Sequence, residues 1–289
     1  MMDLISRTTT LNGKTFSLWE YSPSIPAAAV FIVLFALTTG FHIFQASKKR
    51  TFYFIPLIIG GLFEVIGYVG RILAYYNQDS LGIYILQSVT LLVAPALFSA
   101  SIYMILGRVI VLTQSEAYSP IRSRFLTKIF VCGDVLSFLV QSGGGGMMAK
   151  SSTQNLGKYL VLIGLFIQVI FFGCFMVCSG LVHMRLNRNP TASSMQSRWT
   201  KHMYMLYIAG VLILIRSLFR VAEFANGRSG PIQSHEFYLY IFDSILMLGV
   251  MVGFNIVHPG EIIGRRPQGE GFQLSPQDIS SEALAYERK

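Results

Sequence analysis

Charge is what this chain has least of. Only 13% of its 289 residues are Asp, Glu, Lys or Arg, about half the roughly 25% of a soluble domain. Acidic residues are the scarcest: 14 Asp and Glu stand against 23 Lys and Arg, for a formal charge of +9. Cysteine is sparse too. Cys132, Cys174 and Cys178 all lie in apolar stretches, and no connecting segment carries one. The shortage of charge excludes a water-soluble globular enzyme, and an apolar share of 53% excludes a disordered chain. The cysteine placement excludes a module stapled by external disulfides. Also absent are G-x-x-x-x-G-K-[ST], G-x-S-x-G, H-E-x-x-H and C-x-x-C. No ATP-binding loop, nucleophile elbow, zinc-protease helix or paired-thiol site is therefore expected. No lysine stands between Lys201 and Lys289, so the last span cannot form a retinal Schiff base. No Asn-x-Ser/Thr acceptor occurs with x other than Pro, so N-glycosylation is not expected.

What the chain does have is long apolar runs. A bilayer core takes roughly 20 apolar residues as helix, and its backbone must be bonded internally. Seven such stretches occur, at 26–46, 52–76, 83–107, 125–149, 160–183, 203–225 and 237–257. The expected fold is an all-α integral membrane protein, a seven-transmembrane helix bundle, with Pro95 bending the third span. The basic residues set an orientation. Lys48, Lys49, Arg50, Arg108, Arg122, Arg124, Lys128, Arg185, Arg188, Arg198, Lys201, Arg265 and Arg266 flank one end of the spans. Only Arg7, Lys14, Lys150, Lys158 and Arg228 flank the other. The positive-inside rule puts the first set in the cytoplasm. Residues 1–25 are then an extracellular segment and 261–289 a polar, disordered cytoplasmic tail, a layout that needs an odd number of spans. The positive excess is loop charge of this kind, not a nucleic-acid footprint. No cleavable leader is expected ahead of the first span, and the sequence sets no oligomeric state.

The few charges inside the spans carry the functional information, because each costs roughly 2.5–3.5 kcal/mol at a helix centre on insertion scales. They are Glu64 and Arg71 in span two, Asp134 in span four, Arg216, Arg220 and Glu223 in span six, and Glu236 and Asp243 in span seven. Glu64, Tyr68 and Arg71 share one helix face, as do Arg216, Arg220 and Glu223. Asp134 and Gln141 are seven apart. Two arrangements fit these spacings. The three arginines could pair with Glu223, Glu236 and Asp243 and hold spans two, six and seven together, or the same residues could line a polar cavity. Glu64 and Asp134 lie nearer the midplane with no lysine beside them. Such carboxyls suit proton coupling or an ammonium headgroup, or are simply protonated and hydrogen-bonded to a Tyr or Gln.

Gly143 to Gly146 near one end of span four fits close helix approach, a helix break beside a cavity, or a phosphate nest. Cys174 and Cys178 fit packing within span five. His42, His183, His202 and His258 fall at the basic ends of spans, where interfacial histidines are common, so no metal site is assigned.

Taken in order along the chain, these residues resemble the fungal RTA-like family of lipid-translocating exporters. The matching residues are Tyr21-x-Pro23-Ser24 with His42; Glu64-x-x-Gly67-Tyr68-x-x-Arg71; Pro95 through Tyr103 to Arg108; Asp134-Val-x-Ser137-x-x-x-Gln141-x-Gly143-Gly144-Gly145; and Gly157 through Gly164 to Gln168. Then follow Arg216-x-x-x-Arg220-x-x-Glu223-x-x-x-Gly227, Glu236-x-x-x-Tyr240-x-x-Asp243 and His258-Pro259-Gly260. One departure is Pro26-Ala27-Ala28-Ala29, where members often carry an Asn. The resemblance covers about residues 21 to 260. It implies seven helices, the plasma membrane as address, and movement of amphiphiles. The family includes proteins linked to aminocholesterol resistance, sphingoid long-chain-base movement and porphyrin uptake.

The expected function is translocation of lipids or other amphiphiles, contributing to resistance to toxic ones. Glu64, Tyr68, Arg71, Asp134, Gln141, Arg216, Arg220, Glu223, Glu236 and Asp243 are the candidate path. The expected partners are membrane lipids and an amphiphilic substrate, with no nucleic acid, no cofactor, no metal and no enzyme activity. The alternative is a seven-helix receptor or sensor that controls resistance indirectly, since basic loops and an outside N-terminus fit it as well, although the loops are short for G-protein coupling.

Overall fold

The structure, a computed structural model, describes residues 9–11, 14–16, 24–77, 80–148, 152–226 and 236–260. Seven helical spans among them are long and apolar enough to cross a membrane, which makes this a multi-pass integral membrane protein. They are α1 (Ile25–Lys49), α2 (Ile55–Tyr76), α3 (Leu81–Leu112), α4 (Ser123–Met148), α5 (Gln154–Arg188), α7 (Trp199–Asn226) and a composite last span. The composite comprises α8 (Glu236–Leu239), a π segment (Tyr240–Ile245) and α9 (Leu246–Ile256). The short α6 (Ala192–Gln196) lies in the connection before α7, with the Thr191 hydroxyl accepting from the Ser194 N–H at 3.1 Å. Ahead of α1, β1 (Thr9–Leu11) pairs antiparallel with β2 (Lys14–Phe16), a small ribbon within the N-terminal segment. The rest of that segment and the tail 261–289 lie outside the described residues.

The spans pack in chain order, α1 on α2, α2 on α3, α3 on α4, α4 on α5, α5 on α7 and α7 on α9, and α9 returns to α1. α3 also touches α7 and is the most buried of the seven. Its inward side chains Phe98, Ile102, Tyr103 and Ile105 form one core with Phe54, Met203, Leu206, Met251 and Phe254. The outer surface inverts the pattern of a soluble protein. Leu37, Phe44, Leu139, Ile170, Val177 and Leu218 all point outward. Soluble monomers rarely expose apolar patches beyond a few hundred Å², and here a bilayer supplies the cover.

Two local features fix the bundle. α4 and α5 approach closely at Gly144, where a Cβ would stand 2.7 Å from the Gly157 carbonyl oxygen; Gly143, Gly145 and Gly146 face open space. The glycine run thus serves close approach through one member. α5 continues well past its apolar window of 160–183, because helix hydrogen bonding carries on into water where hydropathy falls away, and Arg185 and Arg188 in its last turn suit the helix C-terminus. Arg185 donates to the Tyr118 carbonyl at 2.9 Å and Thr191 to the Thr113 carbonyl at 2.6 Å, joining the basic-end connections.

Candidate functional site

Most of the charge inside the bundle gathers in one ionic core. α7 carries Arg216, Arg220 and Glu223 on one face, and the π segment presents Asp243 to them. Arg216 pairs with one carboxylate oxygen of Asp243 and Arg220 with the other. Arg220 also meets Glu223 at 3.1 Å, and Arg216 donates to the Leu91 carbonyl of α3 at 3.0 Å. The Arg216 and Asp243 side chains are each 4% exposed, so water does not weaken the pair. A π segment has a wider turn than an α-helix and is often found at functional positions. Here it carries the carboxylate that both arginines share.

Toward the end of the bundle away from the basic loops, Arg71 of α2 meets Glu236 at 2.8 Å. Glu236 also accepts the Tyr240 hydroxyl at 3.1 Å and the backbone N–H of Ser24 on both oxygens, at 3.0 and 2.9 Å. Its charge therefore caps the start of α1, where backbone donors lack helical partners. Arg71 lies over the Tyr240 ring at 5.6 Å, and Phe31 stacks on Tyr240 with centroids 5.2 Å apart. Tyr68 stacks on Phe31 and Phe35 and is hydrogen-bonded to Ser244. Glu64 is 2% exposed, lies within electrostatic reach of Asp243, Arg216 and Arg220, and forms no ion pair among the described residues. Its Oε1 is buried without a hydrogen-bond partner.

Asp134 stands apart. Its partner Tyr103 belongs to an aromatic cluster with Phe130, Phe172 and Phe175, whose neighbouring ring centroids lie 4.6 to 6.1 Å apart. The Tyr103 hydroxyl donates to Oδ2 at 3.0 Å, while Oδ1 is buried without a partner. A buried acidic oxygen without a partner, near an aromatic cluster, complements a cation that carries an alkyl chain. Gln141, expected beside Asp134, belongs instead to the α4–α5 seam. It donates to Ser137 at 2.6 Å and to Gln168 at 3.3 Å, and Ser137 donates to the Gly164 carbonyl at 2.7 Å.

At the basic end, His42 bonds to the Met251 carbonyl at 3.0 Å, and Phe54 stacks against both His42 and His258. The Nδ1 of His258 accepts the Gly260 N–H at 3.0 Å. Burial, helped by Lys49, His42 and His202, pushes the His258 pKa down to about 4. Among the described residues no group of three or more His, Cys, Asp or Glu is placed to hold a metal ion.

Eight of the ten residues singled out from sequence therefore converge on the linked network of α2, α7 and the last span, and Asp134 and Gln141 do not. Sequence reasoning did not assign roles to Tyr103, Ser244 or the backbone of Ser24. Tyr103 and Asp134 are 31 residues apart on different helices, and no short-range spacing signals such a pair. The buried Tyr103 hydroxyl, which needs a partner in an apolar span, is the one available clue.

Residues 57–266 match the family model described as RTA1 like protein. The chain is 36% identical to Protoporphyrin uptake protein 1 of Saccharomyces cerevisiae, over 83% of this chain and 91% of that protein. It is 38% identical to Protein RTA1 of the same yeast, over 84% and 85% of the two chains. It is 25% identical to a Sphingoid long-chain base transporter RSB1 of S. cerevisiae, over 91% and 78%. Two of these names denote uptake or transport and none denotes an enzyme. No solved structure matches the chain.

Proposed function

The chain belongs to the family of RTA1 like proteins, and from that premise we propose that it translocates amphiphiles across a bilayer. The substrate class is a long-chain base of the sphingoid kind, a cationic headgroup on an alkyl chain, and the outcome is resistance to toxic amphiphiles. The observation that carries this reading is Asp134, a buried carboxyl with one unpartnered oxygen, bonded through its other oxygen to a tyrosine of an aromatic cluster that suits an alkyl tail. Glu64 repeats the motif of a buried, unpartnered carboxylate oxygen beside the ionic core. Similarity to a protein named for sphingoid-base transport supports the same class.

Glu64, Tyr68, Arg71, Arg216, Arg220, Glu223, Glu236 and Asp243 form the second part of the path, and Gln141 lies on its α4–α5 margin. With no ATP-binding motif in the sequence, the driving force is a proton or substrate gradient. The protein acts as a carrier and not as an enzyme. It sits in the plasma membrane with its N-terminus outside and its basic loops in the cytoplasm.

The test is movement of a fluorescent sphingoid base across proteoliposomes that contain only this protein, with and without a pH gradient. Movement that Asp134→Asn abolishes and Glu64→Gln reduces, with folded protein in every sample, is the expected result. No movement by folded wild-type protein would overturn it and favour the receptor or sensor alternative.

A further inference from the structure

One stretch of outer surface joins positive charge to an apolar groove. Arg122 precedes α4, and Arg124 and Lys128 follow one turn apart on its first turns. All three are exposed, and none has an ion-pair partner among the described residues. Arg122, Arg124, Ser123, Phe125 and Glu116 line a polar depression of about 450 Å³. Glu116 is the one acid there, and it accepts the Ser123 hydroxyl at 3.1 Å. One turn further along α4 a shallow groove of about 330 Å³ begins at Lys128 and is otherwise lined by Ile129, Cys132, Gly133, Leu136 and Phe171. Gly133 lets the Phe171 ring of α5 lie against α4 as one wall of the groove: a Cβ there would stand 2.2 Å from that ring.

The dimensions and the charge favour one occupant. From Lys128 to Leu136 the helix rises about 12 Å at roughly 1.5 Å per residue. One leaflet of hydrocarbon is about 15 Å deep, half of a roughly 30 Å core. The groove thus descends from headgroup level through most of one leaflet. Its mouth carries three cations against one acid. We propose that the N-terminal half of α4, with Phe171 of α5, is a binding site for an anionic phospholipid of the leaflet beside the basic loops. The phosphate lies among Arg122, Arg124 and Lys128, and one acyl chain lies along Ile129, Cys132, Gly133 and Leu136. Polybasic mouths of this kind draw anionic lipid from a mixed bilayer. The lipid here is a resident partner and not the transported amphiphile.

The experiment adds phosphatidylserine and phosphatidylcholine of matched chains to the delipidated full-length protein and counts bound lipids by native mass spectrometry. The wild type is expected to retain phosphatidylserine about tenfold better than phosphatidylcholine. The Arg122→Gln/Arg124→Gln/Lys128→Gln variant loses that preference, and Glu116→Gln strengthens it. A second readout leaves these charges intact. In a Cys174→Ser/Cys178→Ser background, phosphatidylserine slows alkylation of Cys132 by a maleimide severalfold and phosphatidylcholine does not. Equal retention of the two lipids by the wild type, a preference that survives the triple variant, or Cys132 alkylation indifferent to phosphatidylserine would each overturn the proposal. Asp134→Asn leaves the lipid preference unchanged, so this site and the translocation reading fail independently.

Discussion

Arg216 and Arg220 share Asp243 as counter-ion, whereas Asp134 on α4 meets one tyrosine hydroxyl, that of a tyrosine packed among three phenylalanine rings. Both centres bury charge at similar depth, yet they leave different things over. In the ionic core the charges are matched and divided among α7 and the last span, so the pairs act as joints between helices. At Asp134 one oxygen remains without a partner. That side of the bundle is held also by close packing of α4 on α5 through Gly144, and its acid forms no ion pair among the described residues. A matched charge fixes a fold, and an unmatched one is available to a ligand or a proton.

Substitutions can break this contrast. The largest effect is expected from Asp243→Ala, which leaves two buried guanidinium groups without their shared carboxylate. Removing one partner of a buried pair costs about 3–5 kcal/mol. Most of the protein should then aggregate on detergent extraction, and a normal monodisperse yield would show that the core does not join α7 to the last span. Next comes Gly144→Leu. Its side chain would meet the backbone of Gly157 and Val161 and should cost about 1–3 kcal/mol. Gly145→Leu, facing open space, should stay within about 0.5 kcal/mol. Equal thermal shifts for the two would remove close packing as the support of the Asp134 side.

Tyr103→Phe sharpens the comparison from the other direction. Loss of its hydrogen bond to Asp134 should lower stability by only about 1 kcal/mol, while movement of the fluorescent base in proteoliposomes falls well below wild type. A variant that loses stability and keeps full transport would make Asp134 another structural group. A further expected effect is confined to acidic pH, at the basic end. In the unfolded chain His258 takes up a proton near the ordinary histidine value of about 6.5, and in the folded protein only near pH 4. Unfolding therefore binds a proton between those values, and thermal stability should decline as pH falls from 6.5 toward 4. His258→Phe should flatten that part of the profile, as melting temperatures across the range will show.

The seven spans are plain in the sequence because hydropathy reports contact with lipid, and lipid surrounds the bundle. The charged faces on α2 and α7 are plain too, since 3.6-residue geometry fixes them locally. Which carboxylate each arginine meets is not local. It follows from α9 returning to α1 and α7, an order that no short spacing encodes. Asp134 and Gln141 show the limit of the face argument. One broad face of α4 touches two neighbours, so Asp134 bonds to α3 and Gln141 to α5. The π segment has neither Pro nor Gly to mark it, and its register comes from the carboxylate it must aim.

The capping of Ser24 by Glu236 ties together points 212 residues apart in the chain. During synthesis the first of these leaves the ribosome long before the second. Until residue 236 arrives, the Ser24 N–H at the head of α1 lacks the carboxylate that caps it, and Arg71 lacks its pair with Glu236. The head of the first helix is thus capped by a side chain of the last span, so this contact closes only after translation has passed residue 236.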